Sequence, residues 1–172
     1  ENEHYRVDVE ENGLLTIADK ASGKRYARQM LLVENGDDGD SYNYSPPRED
    51  LTVTSEGHLT AVSRECSDVR QALSLNYRMP VPVDLEARAR GELDGVMPVT
   101  VQITLRQDTL IHFTVEVENR VRSHRLCVHF ATDIMAHVSC ADQLFGAVTR
   151  PVQLSDALRV WEDECWHEKP VA

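Results

Sequence analysis

Histidine and cysteine are the side chains in this sequence that could most readily bind a metal. Seven histidines and four cysteines are spread along 172 residues. A zinc site needs several such ligands at close spacing, but the sequence contains no HxH, HExxH or CxxC pattern. Cys165 and His167 form the closest pair, and two ligands do not complete a zinc site. The spacing therefore predicts no metal site, and His112 and His129 are interpreted as polar positions on strands.

The sequence also lacks the short motifs that are typical of enzyme active sites. The sequence has no GxSxG elbow, Walker loop or dinucleotide fingerprint. It has 29 acidic residues, so any chosen carboxylate pair is more often surface than a catalytic couple. Trp161 and Trp166, which flank three acids, could form a sugar-stacking platform, but an apolar segment that anchors the chain end is favoured. No catalytic residue is predicted in this chain.

The stretch from Gly36 to Pro47, GDDGDSYNYSPP, is the segment that most suggests ligand contact. Its glycines permit positive φ, its aspartates can cap turns, and its two prolines keep the preceding residue extended, so a rigid loop is expected. Its acids do not match the ligand spacing of an EF-hand. Tyr42, Asn43 and Tyr44 add phenol and amide groups, which can hold a polyhydroxylated ring. Ordinary packing of the tyrosines is the alternative.

The net charge of −11 limits the partners that the surface could bind. Nucleic-acid and anionic membrane surfaces attract clustered Lys and Arg, so neither is expected as a partner. No apolar run is long enough to cross a bilayer, and no signal peptide is visible. The chain begins at Glu1 without an initiator Met, and we therefore expect it to be cut from a longer protein.

The spacing of the four cysteines indicates whether they form disulfides or remain reduced. Cys66, Cys127, Cys140 and Cys165 lie far apart in a chain that is long enough to form its own core. This spacing favours buried, reduced thiols and a cytoplasmic location over disulfides.

Alternating polar and apolar residues predict an all-β fold. The clearest signals are a hairpin around Asn12-Gly13 and a strand pair formed by Val99–Leu105 and Ile111–Val117. Further predicted features are a turn at 22–24, a strand at 73–79 that ends where Pro80 and Pro82 remove backbone donors, a strand at 125–130 with Leu126, Val128 and Phe130 buried, and helical turns confined to 84–90 or 155–161. We expect one antiparallel β-sandwich domain over residues 1–172, because many short strands occur without convincing helices.

Several segments resemble the C-terminal β region of bacterial family 38 glycoside hydrolases, the retaining α-mannosidases and mannosylglycerate-hydrolysing enzymes. The most specific is the run from Leu31 to Pro47, LLVENGDDGDSYNYSPP. The opening hairpins from Asn2, the region from Asn119 to Leu126, and the closing segment from Phe145 to Pro170 are also similar. The resemblance thus covers nearly the whole chain and implies a large sandwich of the galactose-mutarotase-like kind.

The resemblance implies that the catalytic groups and this β region belong to different parts of a longer enzyme. Members of the family cleave α-mannosides with a zinc ion and two carboxylates. Those groups belong to upstream parts, so this fragment alone is expected to be inactive and to hold no zinc. The family's β region lends a tyrosine to the sugar site, and Tyr42 is the matching position, with Asn43 and Asp40 beside it as further candidate substrate-binding residues.

The sequence as a whole is interpreted as the accessory C-terminal β domain of a zinc-dependent retaining α-mannosidase. It would buttress the upstream catalytic domain of the same chain and complete one wall of the mannoside site. The parent could be a homo-oligomer. A stand-alone carbohydrate-binding module and a structural domain for subunit contacts are the alternatives.

Overall fold

A computed structural model describes residues 1–39, 42 and 44–153 of the chain. Within these residues the chain forms twelve strands and one short helix. In chain order they are β1 (Tyr5–Val9), β2 (Leu15–Asp19), β3 (Arg25–Gln29), β4 (Leu31–Gly36), β5 (Val53–Thr54), β6 (Leu59–Cys66), β7 (Gln71–Val81), α1 (Leu85–Ala89), β8 (Gly95–Leu105), β9 (Ile111–Val117), β10 (His124–His129), β11 (Val138–Gln143) and β12 (Gly146–Pro151).

All described strand pairs are antiparallel. They form a three-stranded sheet β1-β2-β3, a three-stranded sheet β10-β4-β5, a four-stranded sheet β6-β7-β8-β9 and the two-stranded hairpin β11-β12. The longest ladder joins β7 to β8 over eleven residue pairs, from Gln71 opposite Leu105 to Val81 opposite Gly95. The predicted all-β, antiparallel architecture is confirmed.

One hydrophobic core joins the four-stranded sheet to both three-stranded sheets. Alternate side chains of β7 and β8 point into it, because successive residues of a strand face opposite sides. Leu15 of β2, Leu32 of β4 and Val53 of β5 pack against them. The buried members from β7 and β8 are Leu75, Tyr77, Met79, Val81, Met97, Val99, Val101 and Ile103. The sandwich therefore closes around the face that the sequence pattern of β8 predicted to be buried.

The predicted hairpin at Asn12-Gly13 is present between β1 and β2. Gly13 has a φ of 85°, a conformation that glycine adopts at little cost. The side-chain oxygen of Asn12 accepts a hydrogen bond from the Leu14 amide at 3.1 Å. The hydroxyl of Tyr77 donates to the Gly13 carbonyl at 2.6 Å, so this turn is fastened to the four-stranded sheet.

Strand β7 extends further than predicted. It continues through Pro80, which lies opposite Val96, and ends at Val81. A proline can occupy this position because β6 pairs with β7 only up to Tyr77, so that Pro80 has a strand neighbour on one side. Pro80 therefore does not end the strand as predicted, whereas Pro82, the second proline of that prediction, directly follows its last residue.

The burial predicted for β10 is only partly correct. Leu126 is half-buried, whereas Val128 and Phe130 are exposed. Strand β10 is an edge strand, so side chains near its end have neighbours on one side only. The ring of Phe130 still meets that of Phe113 edge-on, with centroids 5.2 Å apart.

The described cysteines carry free thiols, but they are not all buried. Cys127 is half-buried, and Cys66 and Cys140 are exposed. The expected burial was wrong for these two because Cys66 ends β6 and Cys140 lies on β11, and both strands are largely exposed. Cys165 lies outside the described residues.

The segment after β7, where a helical turn was predicted at 84–90, contains the helix α1. Its N-terminus is capped by Asp84, whose carboxylate accepts a hydrogen bond from the Ala87 amide at 3.0 Å. The other predicted helical turn, at 155–161, lies outside the described residues. No helix in the described part of the chain has the length and apolar character needed to span a membrane.

Candidate functional site

The loop that follows β4 is closed by hydrogen bonds between its two described ends. The carboxylate of Asp37 accepts from the amides of Gly39 at 2.9 Å and Ser45 at 3.0 Å. The amide of Asp38 donates to the Ser45 carbonyl at 2.7 Å. The amide of Asp37 donates to the carbonyl of Ser123, which precedes β10, at 3.0 Å. The aspartate cap thus produces the tight closure predicted from the sequence.

Gly36 is required in this loop for space rather than for positive φ. It is absent from the residues with positive φ, so the expectation for this position was wrong. A Cβ at Gly36 would lie 2.6 Å from Cγ of Pro47 and 2.7 Å from Cδ of Arg88. The start of the loop is therefore packed between one of its own prolines and a side chain of α1.

The two tyrosines of the loop have different surroundings. The side chain of Tyr42 is 92% exposed. Tyr44 is half-buried, and its ring lies 3.5 Å from the guanidinium carbon of Arg125. Its hydroxyl accepts a hydrogen bond from the Asn35 amide group at 3.2 Å. Asp40 and Asn43, the other two candidate substrate-binding residues of the loop, lie outside the described residues.

A cluster of ionisable side chains lies against the base of the loop, and two of them are fully buried. Arg88 of α1 forms an ion pair with Glu34 of β4, and the two side chains are 1% and 0% exposed. The same guanidinium donates to the carboxylate of Asp50 at 3.3 Å and to the carbonyl of Leu51. Nδ1 of His124 lies 3.5 Å from Oε1 of Glu34. We refer to Arg88, Glu34, Asp50 and His124 as the Arg88 cluster.

Sequence reasoning missed the Arg88 cluster, although one signal was present. Leu32 and Glu34 lie on the same face of β4, and Leu32 is a core residue. An acid on a core-facing position requires a buried partner, because an unpaired buried charge is very costly. The sequence did not reveal that Arg88 is the partner, because Arg88 lies 54 residues after Glu34.

The remaining sequence candidates do not converge on a reactive site in the described residues. Nε2 of His112 lies 3.1 Å from the carboxylate of Asp108, and this hydrogen bond lowers the pKa of Asp108. No three His, Cys, Asp or Glu side chains within 1–39, 42 and 44–153 are grouped so that they could hold a metal ion. Trp161, Trp166 and the pair Cys165/His167 lie outside these residues.

A family model connects this sandwich and its loop with a known class of proteins. Residues 1–171 match the model for the glycosyl hydrolases family 38 C-terminal domain. The chain therefore belongs to this family, as its C-terminal β region.

Individual relatives agree with this assignment. The crystal structure of an alpha-mannosidase from Enterococcus faecalis V583 superimposes on this chain with a TM-score of 0.76 and 28% sequence identity. The match covers 91% of this chain and 20% of the mannosidase chain. The crystal structure of a glycosyl hydrolase family 38 protein from Enterococcus faecalis superimposes with a TM-score of 0.74 and 28% sequence identity. This match covers 88% of this chain and 20% of the other chain. A Halalkalibacterium halodurans protein named "Putative mannosylglycerate hydrolase" is 22% identical over an alignment 169 positions long, which covers 88% of this chain and 19% of that protein. The chain thus spans about one fifth of the length of these relatives.

Proposed function

We propose that this chain is the accessory C-terminal β domain of a zinc-dependent retaining α-mannosidase, and that it contributes one wall of the sugar site. Membership of family 38 and the likeness to a solved alpha-mannosidase support the parent activity. The observation that carries the local role is Tyr42, an almost fully exposed phenol on a loop whose described ends are closed by Asp37 and Asp38.

The chemistry of Tyr42 suits contact with a sugar. Its ring offers a flat apolar face, and its hydroxyl can donate or accept a hydrogen bond. A closed loop loses little further conformational freedom when a ligand binds, which favours affinity. Asn43 and Asp40, the other candidate substrate-binding residues, would add an amide and a carboxylate beside it.

Exposed apolar side chains support a role in contacting the rest of the longer protein. Leu144 and Phe145 form the tip of the β11-β12 hairpin, and both are almost completely exposed. Ile134 and Met135, in the segment before this hairpin, are also exposed. Each pair exposes two large apolar side chains that are adjacent in sequence, as interaction surfaces often do. The upstream catalytic domain of the same chain is the proposed partner, in the cytoplasm, where free thiols persist.

In this proposal, the zinc ion is bound by the parent enzyme outside the present chain. The described residues do not fit a zinc centre, because no three His, Cys, Asp or Glu among them are suitably grouped. No catalytic step is therefore assigned to this chain. Its proposed contribution is binding and orientation of the mannoside, with the carboxylates and metal ligands supplied from outside it.

The proposal is tested by replacing Tyr42 with Phe in the full-length protein and measuring mannoside hydrolysis. Loss of one hydrogen bond to a sugar hydroxyl should lower kcat/KM about tenfold to a hundredfold, which corresponds to roughly 1.5–3 kcal/mol. The melting temperature should change little, because Phe retains the ring and the side chain is largely exposed. Tyr44→Phe is the matched control, since its ring still packs on Arg125 and only its hydrogen bond to Asn35 is lost. Wild-type kinetics for Tyr42→Phe, or equal losses from both variants, would contradict the sugar contact.

A further inference from the structure

The Arg88 cluster connects α1 with both ends of the loop that carries Tyr42. We propose that Arg88 is a positioning residue, which fastens the loop from Gly36 to Pro47 and thereby holds Tyr42 at the sugar site. This inference rests on the proposed function for the role of Tyr42. The fastening itself follows from contacts of Arg88 that do not involve Tyr42.

The start of the loop is fastened through Asp50. The Gly36 amide donates to Oδ1 of Asp50 at 3.0 Å. The same oxygen accepts from the Arg88 guanidinium at 3.3 Å. Arg88 therefore holds the carboxylate that binds the first backbone amide of the loop, and the absence of a side chain on Gly36 lets Arg88 approach this closely.

The end of the loop is fastened by a direct backbone contact. Arg88 donates to the carbonyl of Leu51, four residues after Pro47. Pro47 itself packs against Gly36 on the side that a Cβ would occupy, next to the aliphatic part of Arg88. One guanidinium thus bonds to the segment leaving the loop and, through Asp50, to the residue entering it.

The ion pair with Glu34 keeps the guanidinium in this place. Oε2 of Glu34 accepts no hydrogen bond from the described part of the chain, so the carboxylate depends on Arg88 for compensation. A lysine could not replace Arg88, because an ammonium lacks the planar fork that reaches Glu34, Asp50 and the Leu51 carbonyl together. Buried ion pairs add little stability compared with apolar residues of similar size, and their best-attested use is to fix a particular arrangement. This arrangement fixes the loop.

The test separates loop fastening from overall stability. Glu34→Leu combined with Arg88→Met in the full-length protein replaces the ion pair by apolar side chains, which should preserve the fold. Hydrogen exchange is then followed by mass spectrometry in peptides that cover residues 35–46. We expect the hydrogen-bonded amides among them, those of Gly36, Asp37, Asp38, Gly39 and Ser45, to exchange at least about tenfold faster, with peptides from β7 and β8 unchanged, because these bonds open locally. Arg90→Met is the matched control, since Arg90 follows the same helix but is exposed and bonds to Glu92.

Unchanged loop exchange in the Glu34→Leu/Arg88→Met variant would overturn the proposal. If that variant does not fold, Arg88→Lys provides the test, because it retains a positive charge beside Glu34 but lacks the fork. Loop exchange in Arg88→Lys should then rise several-fold, and wild-type exchange would equally overturn the proposal.

Activity measurements separate this inference from the proposed function. The double variant should reduce kcat/KM for mannoside hydrolysis about tenfold, and adding Tyr42→Phe to it should cause little further loss. Rapid loop exchange with wild-type kcat/KM would show that Arg88 fastens the loop and that Tyr42 does not contact the sugar. A full additional loss from Tyr42→Phe in the double variant would show that Arg88 does not act through Tyr42 and would overturn the positioning role.

Discussion

The guanidinium carbon of Arg125 lies 3.5 Å from the centre of the Tyr44 ring. This contact joins β10 to the loop after β4, although the two residues are 81 positions apart in sequence. Asn35 strengthens the link, because it donates to the Tyr44 hydroxyl at 3.2 Å and accepts from Nε of Arg125 at 3.4 Å. The loop is therefore bound on one side by Tyr44 and at its base by the Arg88 cluster.

Removing the stacking contact should destabilise the chain moderately. Arg125→Met keeps an unbranched side chain but removes the cation–π interaction, which contributes about 0.5–2 kcal/mol depending on its exposure. Urea unfolding of Arg125→Met, Tyr44→Leu and the double variant measures the coupling between the two side chains. The losses should be non-additive. Strictly additive losses would show that the stacked geometry contributes no stability.

Gly36→Ala should be much more harmful than a glycine substitution elsewhere. The new methyl group would clash with Pro47 and Arg88, and overpacking of this kind costs about 1–3 kcal/mol. Gly146→Ala is the matched control, because no heavy atom lies within 4 Å of the added Cβ and the backbone there does not have positive φ. Urea midpoints should separate the two variants clearly. Equal midpoints would contradict the tight packing described at Gly36.

Tyr77 should make stability fall at alkaline pH. Burial raises the pKa of its phenol from 10.0 to about 12. The folded protein therefore binds the phenolic proton more tightly than the unfolded chain does. The resulting contribution of Tyr77 to the free energy of unfolding is complete below pH 10 and is lost as the pH rises from about 10 through 12. The expected loss is about 2 kcal/mol. Urea unfolding of the wild type across this pH range should show the loss, and the stability of Tyr77→Phe should depend less on pH. Identical pH profiles for the two proteins would refute the raised pKa of Tyr77.

The 172-residue chain by itself should hold no stoichiometric zinc and hydrolyse no mannoside. The basis is the lack of a suitable ligand group in its described part, together with the chain length, about one fifth of that of its relatives. Metal analysis of the purified chain, before and after chelation, and an assay with an aryl α-mannoside provide the measurement. One tightly held zinc per chain, or turnover above background, would contradict this prediction.

The sequence predicted features that depend on local patterns. Alternation identified β8 and its buried face, and Asn12-Gly13 identified the first hairpin, because both signals come from neighbouring residues. The edge position of Pro80 and the exposure of Val128 depend on which strands become neighbours, and a single sequence does not specify this. The Arg88 cluster was missed for the same reason, since it joins a strand, a loop and a helix that are distant in the chain.

The bond from Tyr77 to Gly13 spans 64 residues, and this has a consequence for biosynthesis. The first hairpin leaves the ribosome well before its anchoring tyrosine is made. At about 5–20 residues per second, the delay is roughly 3–13 s. During that interval Leu15, which becomes fully buried in one core with residues of β7 and β8, lacks these partners. The nascent chain is therefore most exposed to aggregation while β4 to β6 are being translated, and a chaperone that covers the first hairpin would act in this period.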